Sequence, residues 1–168
     1  MINTIDDFYT EAEKYVQEFN AFAEKNSLTG ISKADHICYK CDSKESFEYI
    51  RAIFESNSDY IHQSIISQRR LAYIKFKRGI ETALGPINFL ELSDQKPDGS
   101  QQNKFDLIEV YPVTISYDGF IKKLEASNKV TKVERPHHTT HDIDMGDGFI
   151  FRCTTEPLID KIKKSEML

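Results

Sequence analysis

The chain has little that would tie it to a membrane, a nucleic acid or an oxidising compartment. Its 168 residues include only three cysteines, an odd number that builds no disulfide framework, so a reducing cytoplasm is the expected setting. Apolar runs are a few residues long, too short for a membrane-spanning helix. The opening Met1-Ile2-Asn3-Thr4-Ile5-Asp6-Asp7 lacks the basic and apolar regions of a secretory signal. There is no basic surplus either: 22 Lys and Arg stand against 27 Asp and Glu, which argues against general nucleic-acid binding. With 39% hydrophobic and 29% charged residues, the composition is that of a soluble globular protein. The length suits one domain, 1–168, with a sizeable core.

What is present is a repeated order of elements. Ile5, Phe8, Tyr9, Ala12, Tyr15, Val16, Phe19 and Ala23 recur at helical spacing and predict an amphipathic helix over 4–26. Thr4 with Asp7 is its capping pair, and Gly30 suits a left-handed exit. A strand follows at 34–41. Asp42 with Glu45 opens a helix over 43–56, with Phe47, Ile50 and Phe54 on its inner face. Residues 60–67 and 69–77 read as a hairpin, and 87–92 as a fourth strand. Residues 93–104 are almost devoid of apolar side chains and read as a linker. The order then repeats: strand 105–111, helix 118–127, and strands 129–134, 138–144 and 148–154, with Met145–Gly148 as a hairpin turn. Pro157 opens a C-terminal helix, 157–165. The reading is an α+β fold. Module one (34–92) and module two (105–156) are βαβββ units forming one curved mixed sheet, with an added N-terminal helix.

Alternation along the strands sorts their side chains into two faces. Ile37, Leu90, Leu92, Ile108 and Val110 suit a face under helices, together with Asp35 and Tyr39. The opposite face then holds Ala34, His36 and Cys38, Phe89 and Glu91, and Phe105, Leu107 and Glu109. A buried ionised carboxylate is costly unless it is paired or bound to a metal. One imidazole and two carboxylates make a common ligand set for a divalent ion with open positions. His36, Glu91 and Glu109 are therefore the candidate metal ligands, for Zn²⁺, Mn²⁺, Fe²⁺ or Ni²⁺. The alternative is a buried hydrogen-bonded network without metal.

The segments Ala34-Asp35-His36-Ile37-Cys38-Tyr39-Lys40-Cys41, Ile87–Pro97 and Asp106–Pro112 resemble the YecM-like proteins of the vicinal oxygen chelate superfamily, which includes glyoxalase- and dioxygenase-like enzymes. The resemblance spans Ala34 to about Glu156. It implies paired βαβββ modules around a metal, with His36, Glu91 and Glu109 lining the cup between them. Leu107 stands where many members carry a second histidine. Phe149, Phe151 and Cys153, read onto the equivalent face of the last strand, supply no carboxylate there. Two functions follow. One is a metal-dependent lyase, isomerase or dioxygenase-like enzyme acting on a small oxygen-bearing substrate, with Glu109 as its catalytic general base. The other is a small-ligand-binding or regulatory module that kept the cup and lost the chemistry. The expected partner is a small molecule, not a nucleic acid or a membrane, with a homodimer left open.

Other groups read more plainly. Cys38 and Cys41 have CxxC spacing without a second pair and are ordinary strand cysteines. The segment Arg135–Asp142 concentrates His137, His138 and His141. It is a solvated rim, a substrate contact at the cup mouth, or the source of a fourth ligand in His141. His62 is a strand residue without chemistry. Arg69, Arg70 and Arg152 are solvated-edge residues or holders of an anionic substrate, because guanidinium pairs bidentately with carboxylate or phosphate.

Overall fold

A computed structural model of the chain describes residues 1–136 and 138–166. The elements run α1 (Ile5–Lys25), β1 (Ser32–Lys40), α2 (Lys44–Glu55), β2 (Ser58–Ile66), β3 (Arg69–Ile80) and β4 (Ile87–Ser93). They continue with β5 (Lys104–Pro112), α3 (Tyr117–Glu125), β6 (Thr131–Glu134), β7 (Thr139–Asp144), β8 (Ile150–Cys153) and α4 (Leu158–Glu166). The eight strands form one mixed sheet, ordered β2-β3-β4-β1-β5-β8-β7-β6. Each βαβββ unit supplies four adjacent strands, and β1 and β5 join the units as an antiparallel pair. No helix among the described residues is long and apolar enough to cross a membrane.

Local chemistry accounts for the helix starts. Thr4 and Asp7 form a reciprocal capping box on α1. At α2 the cap is Ser43, whose hydroxyl accepts from Ser46 N at 3.0 Å, rather than the Asp42–Glu45 pair expected above. Helix α1 lies across both units on one face of the sheet. Phe8 is fully buried against Phe54, Phe76 and Phe105, while Phe19 stacks on Phe151 and Tyr15 meets Phe149. One amphipathic helix thereby closes a core to which both units contribute.

Two irregularities at the β1–β5 seam correct the expected faces. Ala34 pairs with Val110 and His36 with Glu109, so Asp35 is an extra residue in β1. Cys38 pairs with Leu107 and Tyr39 with Phe105, so Asp106 is an extra residue in β5. Such a bulge shifts the alternation by one residue. Ala34 and Phe105 consequently join Ile37, Tyr39, Ile108 and Val110 in the core, whereas Leu107 lies outside that cluster. Asp35 moves the other way, onto the face of His36. The last strand is corrected as well: Phe149, Phe151 and Cys153 are core residues, which leaves Arg152 on the opposite face.

The 93–104 segment connects the units but is firmly tied down. Gln101 is 7% exposed, and its amide donates to the carbonyls of Cys41 (2.7 Å) and Asp94 (2.9 Å). A polar composition here reflects backbone hydrogen bonds satisfied by side chains.

Candidate metal centre

The sheet face opposite α1 carries the polar cluster. His36 comes from the centre of β1 and is 1% exposed. Its Nδ1–H donates to Asp35 Oδ2 at 2.6 Å. Its Nε2 lies 3.4 Å from Glu91 Oε2 on β4 and 3.6 Å from Glu109 Oε2 on β5. Neither approach makes an aligned hydrogen bond, and Nε2 is a buried polar atom without a partner among the described residues. Asp35, His36 and Glu109 each place a ligand-type atom within 4.8 Å of the others. Glu91 is outside that tight group and is the more open carboxylate, with its side chain 27% exposed against 8% for Glu109.

The charges are mutually dependent. Burial alone would lower the His36 pKa, but Glu109, Asp35 and Glu91 outweigh it and hold the imidazole well above its ordinary value. Burial pushes Glu91 up, yet His36, Arg152 and Arg69 bring it below the usual range. Glu109 is raised, first by burial and then, against the pull of His36, by its carboxylate neighbours Glu91 and Asp35. Tyr73 stands edge-on to the His36 ring at 5.7 Å and stacks on Phe89 at 4.6 Å. Its hydroxyl is a second buried polar atom with no partner among the described residues.

Helix α4 is tied to this side by two hydrogen bonds. Leu158 N donates to Asp35 Oδ2 at 3.1 Å, and Lys161 Nζ donates to Thr154 Oγ1 at 2.7 Å. Two surface cavities, of about 290 and 370 Å³, lie elsewhere, one lined by Glu11, Tyr15, Lys104 and Phe149 and the other by Lys44, Arg69 and Asp94.

The structure thus gathers His36, Glu91 and Glu109 and adds Asp35, which strand alternation had assigned to the helix side. The signal that could have found it is the adjacent Asp-His pair itself, since a ligating imidazole commonly gives its second N–H to a carboxylate. His141 is placed away from the cluster. Its Nδ1 shares a 2.7 Å hydrogen bond with Tyr117 of α3, on the helix-covered side, so it supplies no fourth ligand. His138 is exposed, and His137 falls outside the described residues. Arg70 is committed to Asp94 (2.7 Å) and Glu48 (3.2 Å), and Arg69 donates to Gln101. The three cysteines are free thiols. Cys38 faces Glu91 at 3.9 Å, whereas Cys41 and Cys153 sit in the core.

Paired βαβββ units with a buried imidazole–carboxylate cluster at their seam define a protein of mixed α+β architecture with a candidate metal centre. The family model described as "YecM protein" matches residues 4–144, and the chain belongs to that family. Among solved structures, the chain is similar to one titled "Structural Genomics, Protein EC4020". The TM-score is 0.67 at 16% identity, covering 92% of this chain and 91% of that one. That likeness shows the fold. No curated protein matches the chain significantly.

Proposed function

We propose that the protein binds a divalent metal ion at His36, Glu91 and Glu109, with Asp35 orienting the imidazole, and acts on or retains a small oxygen-bearing molecule there. The observation that carries this reading is His36 Nε2, buried without a hydrogen-bond partner between two carboxylate oxygens at 3.4 and 3.6 Å. Metal–ligand bonds of about 2.1 Å at a tetrahedral angle put donor atoms about 3.4 Å apart, so the donor spacing fits such an ion. The Asp35–His36 hydrogen bond holds Nδ1 and aims Nε2 at the two glutamates, where a metal ion that displaces the Nε2 proton would be ligated. Three carboxylates around one imidazole favour a borderline or hard cation, Zn²⁺, Mn²⁺, Fe²⁺ or Ni²⁺, over a thiophilic one. The arrangement accords with the cup of the vicinal oxygen chelate proteins.

A bound ion would supply Lewis acidity toward a substrate oxygen. The chain's own residues do the rest. His36 and Glu91 hold the centre. Glu109, whose carboxyl is held above the usual carboxylate range in the metal-free protein by burial, is the third ligand and the one that would leave the ion to accept a substrate proton. Tyr73 offers a buried hydroxyl to a ligand atom. The binding-module reading keeps a specific observation in its favour: Leu107 occupies the β5 position that matches His36 on β1, so the second unit contributes no imidazole. Metal content of the purified protein tests the proposal, followed by the same measurement on His36→Ala. Stoichiometric metal in the wild type and its loss in the variant are expected. Absence of tight metal binding after reconstitution with all four ions would overturn it.

A further inference from the structure

The strand register makes the two units near-equivalent about the Ile37–Ile108 pair. Cys38 pairs with Glu91 in the first unit as Glu109 pairs with Arg152 in the second. Tyr73 pairs with Glu91 as Asp142 pairs with Arg152. The bulge residues Asp35 and Asp106 match too, as do His36 and Leu107. The second unit therefore presents Arg152 where the first presents Glu91, and an apolar Leu107 where the first presents the imidazole. One half of the site gathers carboxylates around His36, and the other offers a guanidinium at the corresponding depth.

That guanidinium has donors to spare. Nε and Nη2 of Arg152 donate to Asp142 Oδ1 and Oδ2, each at 2.9 Å. This side-on pair leaves Nη1 and the second Nη2 proton without a partner among the described residues. The Arg152 side chain is 20% exposed and that of Glu91 27%, against 1% for His36 and 8% for Glu109, so Arg152 and Glu91 are the more solvent-accessible of these groups. Arg135 joins it: its Nη1 donates at 2.6 Å to Thr140, which shares a strand face with Asp142. Burial and the nearby Arg152 both disfavour the charge on Arg135, while Asp142, Glu109 and Glu91 favour it. Arg152 and Arg135 supply the cationic side of a site whose other side is the carboxylate-rich centre.

We propose that Arg152, with Arg135, forms an anion subsite that takes the carboxylate of a small oxo- or hydroxy-acid, while the ligand's second oxygen faces His36, Glu91 and Glu109. The role of the second oxygen rests on the metal reading above; the anion subsite does not. Arg152 and Leu107 then replace potential ligands with groups that select the substrate: a fork for the carboxylate and an apolar wall for the carbon skeleton.

The test is a titration of metal-free protein labelled with ¹⁵N-arginine, using sodium lactate against uncharged lactamide, with sodium chloride at equal ionic strength as the baseline. The Arg152 Nε–H signal is assigned from its absence in Arg152→Gln. A saturable shift with lactate and none with lactamide is expected. Because Arg152→Gln alone strands the Asp142 charge, the paired variant Asp142→Asn with Arg152→Gln serves as the folded control. Its lactate affinity, measured calorimetrically, should fall about tenfold or more. Adding Zn²⁺ should tighten lactate binding to the wild type. No shift with lactate, or an equal shift with lactamide, overturns the subsite whatever the metal does. A lactate-specific shift that Zn²⁺ does not strengthen keeps the subsite and removes the metal reading.

Discussion

Replacement of Glu109 by glutamine distinguishes a metal centre from a buried ion network. Glu109 is 6% exposed and lies 3.6 Å from His36 Nε2. The same imidazole already has Asp35 at 2.6 Å and Glu91 at 3.4 Å. Without metal, three carboxylates crowd one imidazole, and burial together with the other two carboxylates disfavours ionised Glu109. Glutamine keeps the shape and removes the repulsion. Metal-free Glu109→Gln should therefore be as stable as the wild type or more stable, by up to about 1 kcal/mol, or about 2–4 °C in melting temperature. Zinc at a hundred times its Kd should stabilise the wild type by about 2.7 kcal/mol. The variant should gain less than half as much, so the order of melting temperatures inverts when metal is added. Differential scanning fluorimetry with and without EDTA reads both signs. If the metal-free variant instead loses about 3–5 kcal/mol, as on breaking a buried pair, Glu109 is a structural partner of imidazolium. If metal leaves the wild-type melting temperature unmoved as well, there is no metal centre.

Asp35→Asn should weaken metal binding about 10–100-fold with the fold retained, as seen by competition with a chromophoric chelator; unchanged affinity would refute its orienting role. His141→Ala should leave metal affinity within about twofold, because the ring lies on the helix-covered side; a larger loss would refute that placement. The folded-state pKa of His36 lies above its unfolded value of about 6.5. Its contribution to metal-free stability is therefore fully present below about pH 6.5 and is lost as pH rises through the folded value. Chemical denaturation should show stability falling more steeply over that range in the wild type than in His36→Gln, and equal slopes would exclude the shift. Phe8→Ala should cost about 3–5 kcal/mol in urea unfolding, since the ring is fully buried among residues of both units. A loss under about 1 kcal/mol would show that α1 is not part of the shared core.

The sequence by itself determined the elements whose causes are local. The apolar period of Phe8, Ala12, Val16 and Phe19 with the Thr4–Asp7 box specifies α1, and the repeated strand–helix–strand order specifies the paired units. Alternation in β4 places Glu91 opposite Leu90 and Leu92, and in β5 it places Glu109 opposite Ile108 and Val110. Those strands are regular at these positions, so reading the period suffices. Tertiary structure alone decided what depends on pairing. A bulge exists only relative to a partner strand, and the two at the β1–β5 seam reverse the alternation for every residue beyond them. Ala34 and Phe105 go to the core in this way, and Asp35 goes to the His36 side. No local signal reports which residue of Ala34-Asp35-His36 is the extra one. The Asp35–Leu158 hydrogen bond spans 123 positions, so the tie between α4 and this side was equally out of reach. Arg152 reads as an edge cation until the β5–β8 register sets it beside Glu109 at the place Glu91 holds in the first unit, because a side chain's electrostatic role is fixed by the neighbours that folding brings to it.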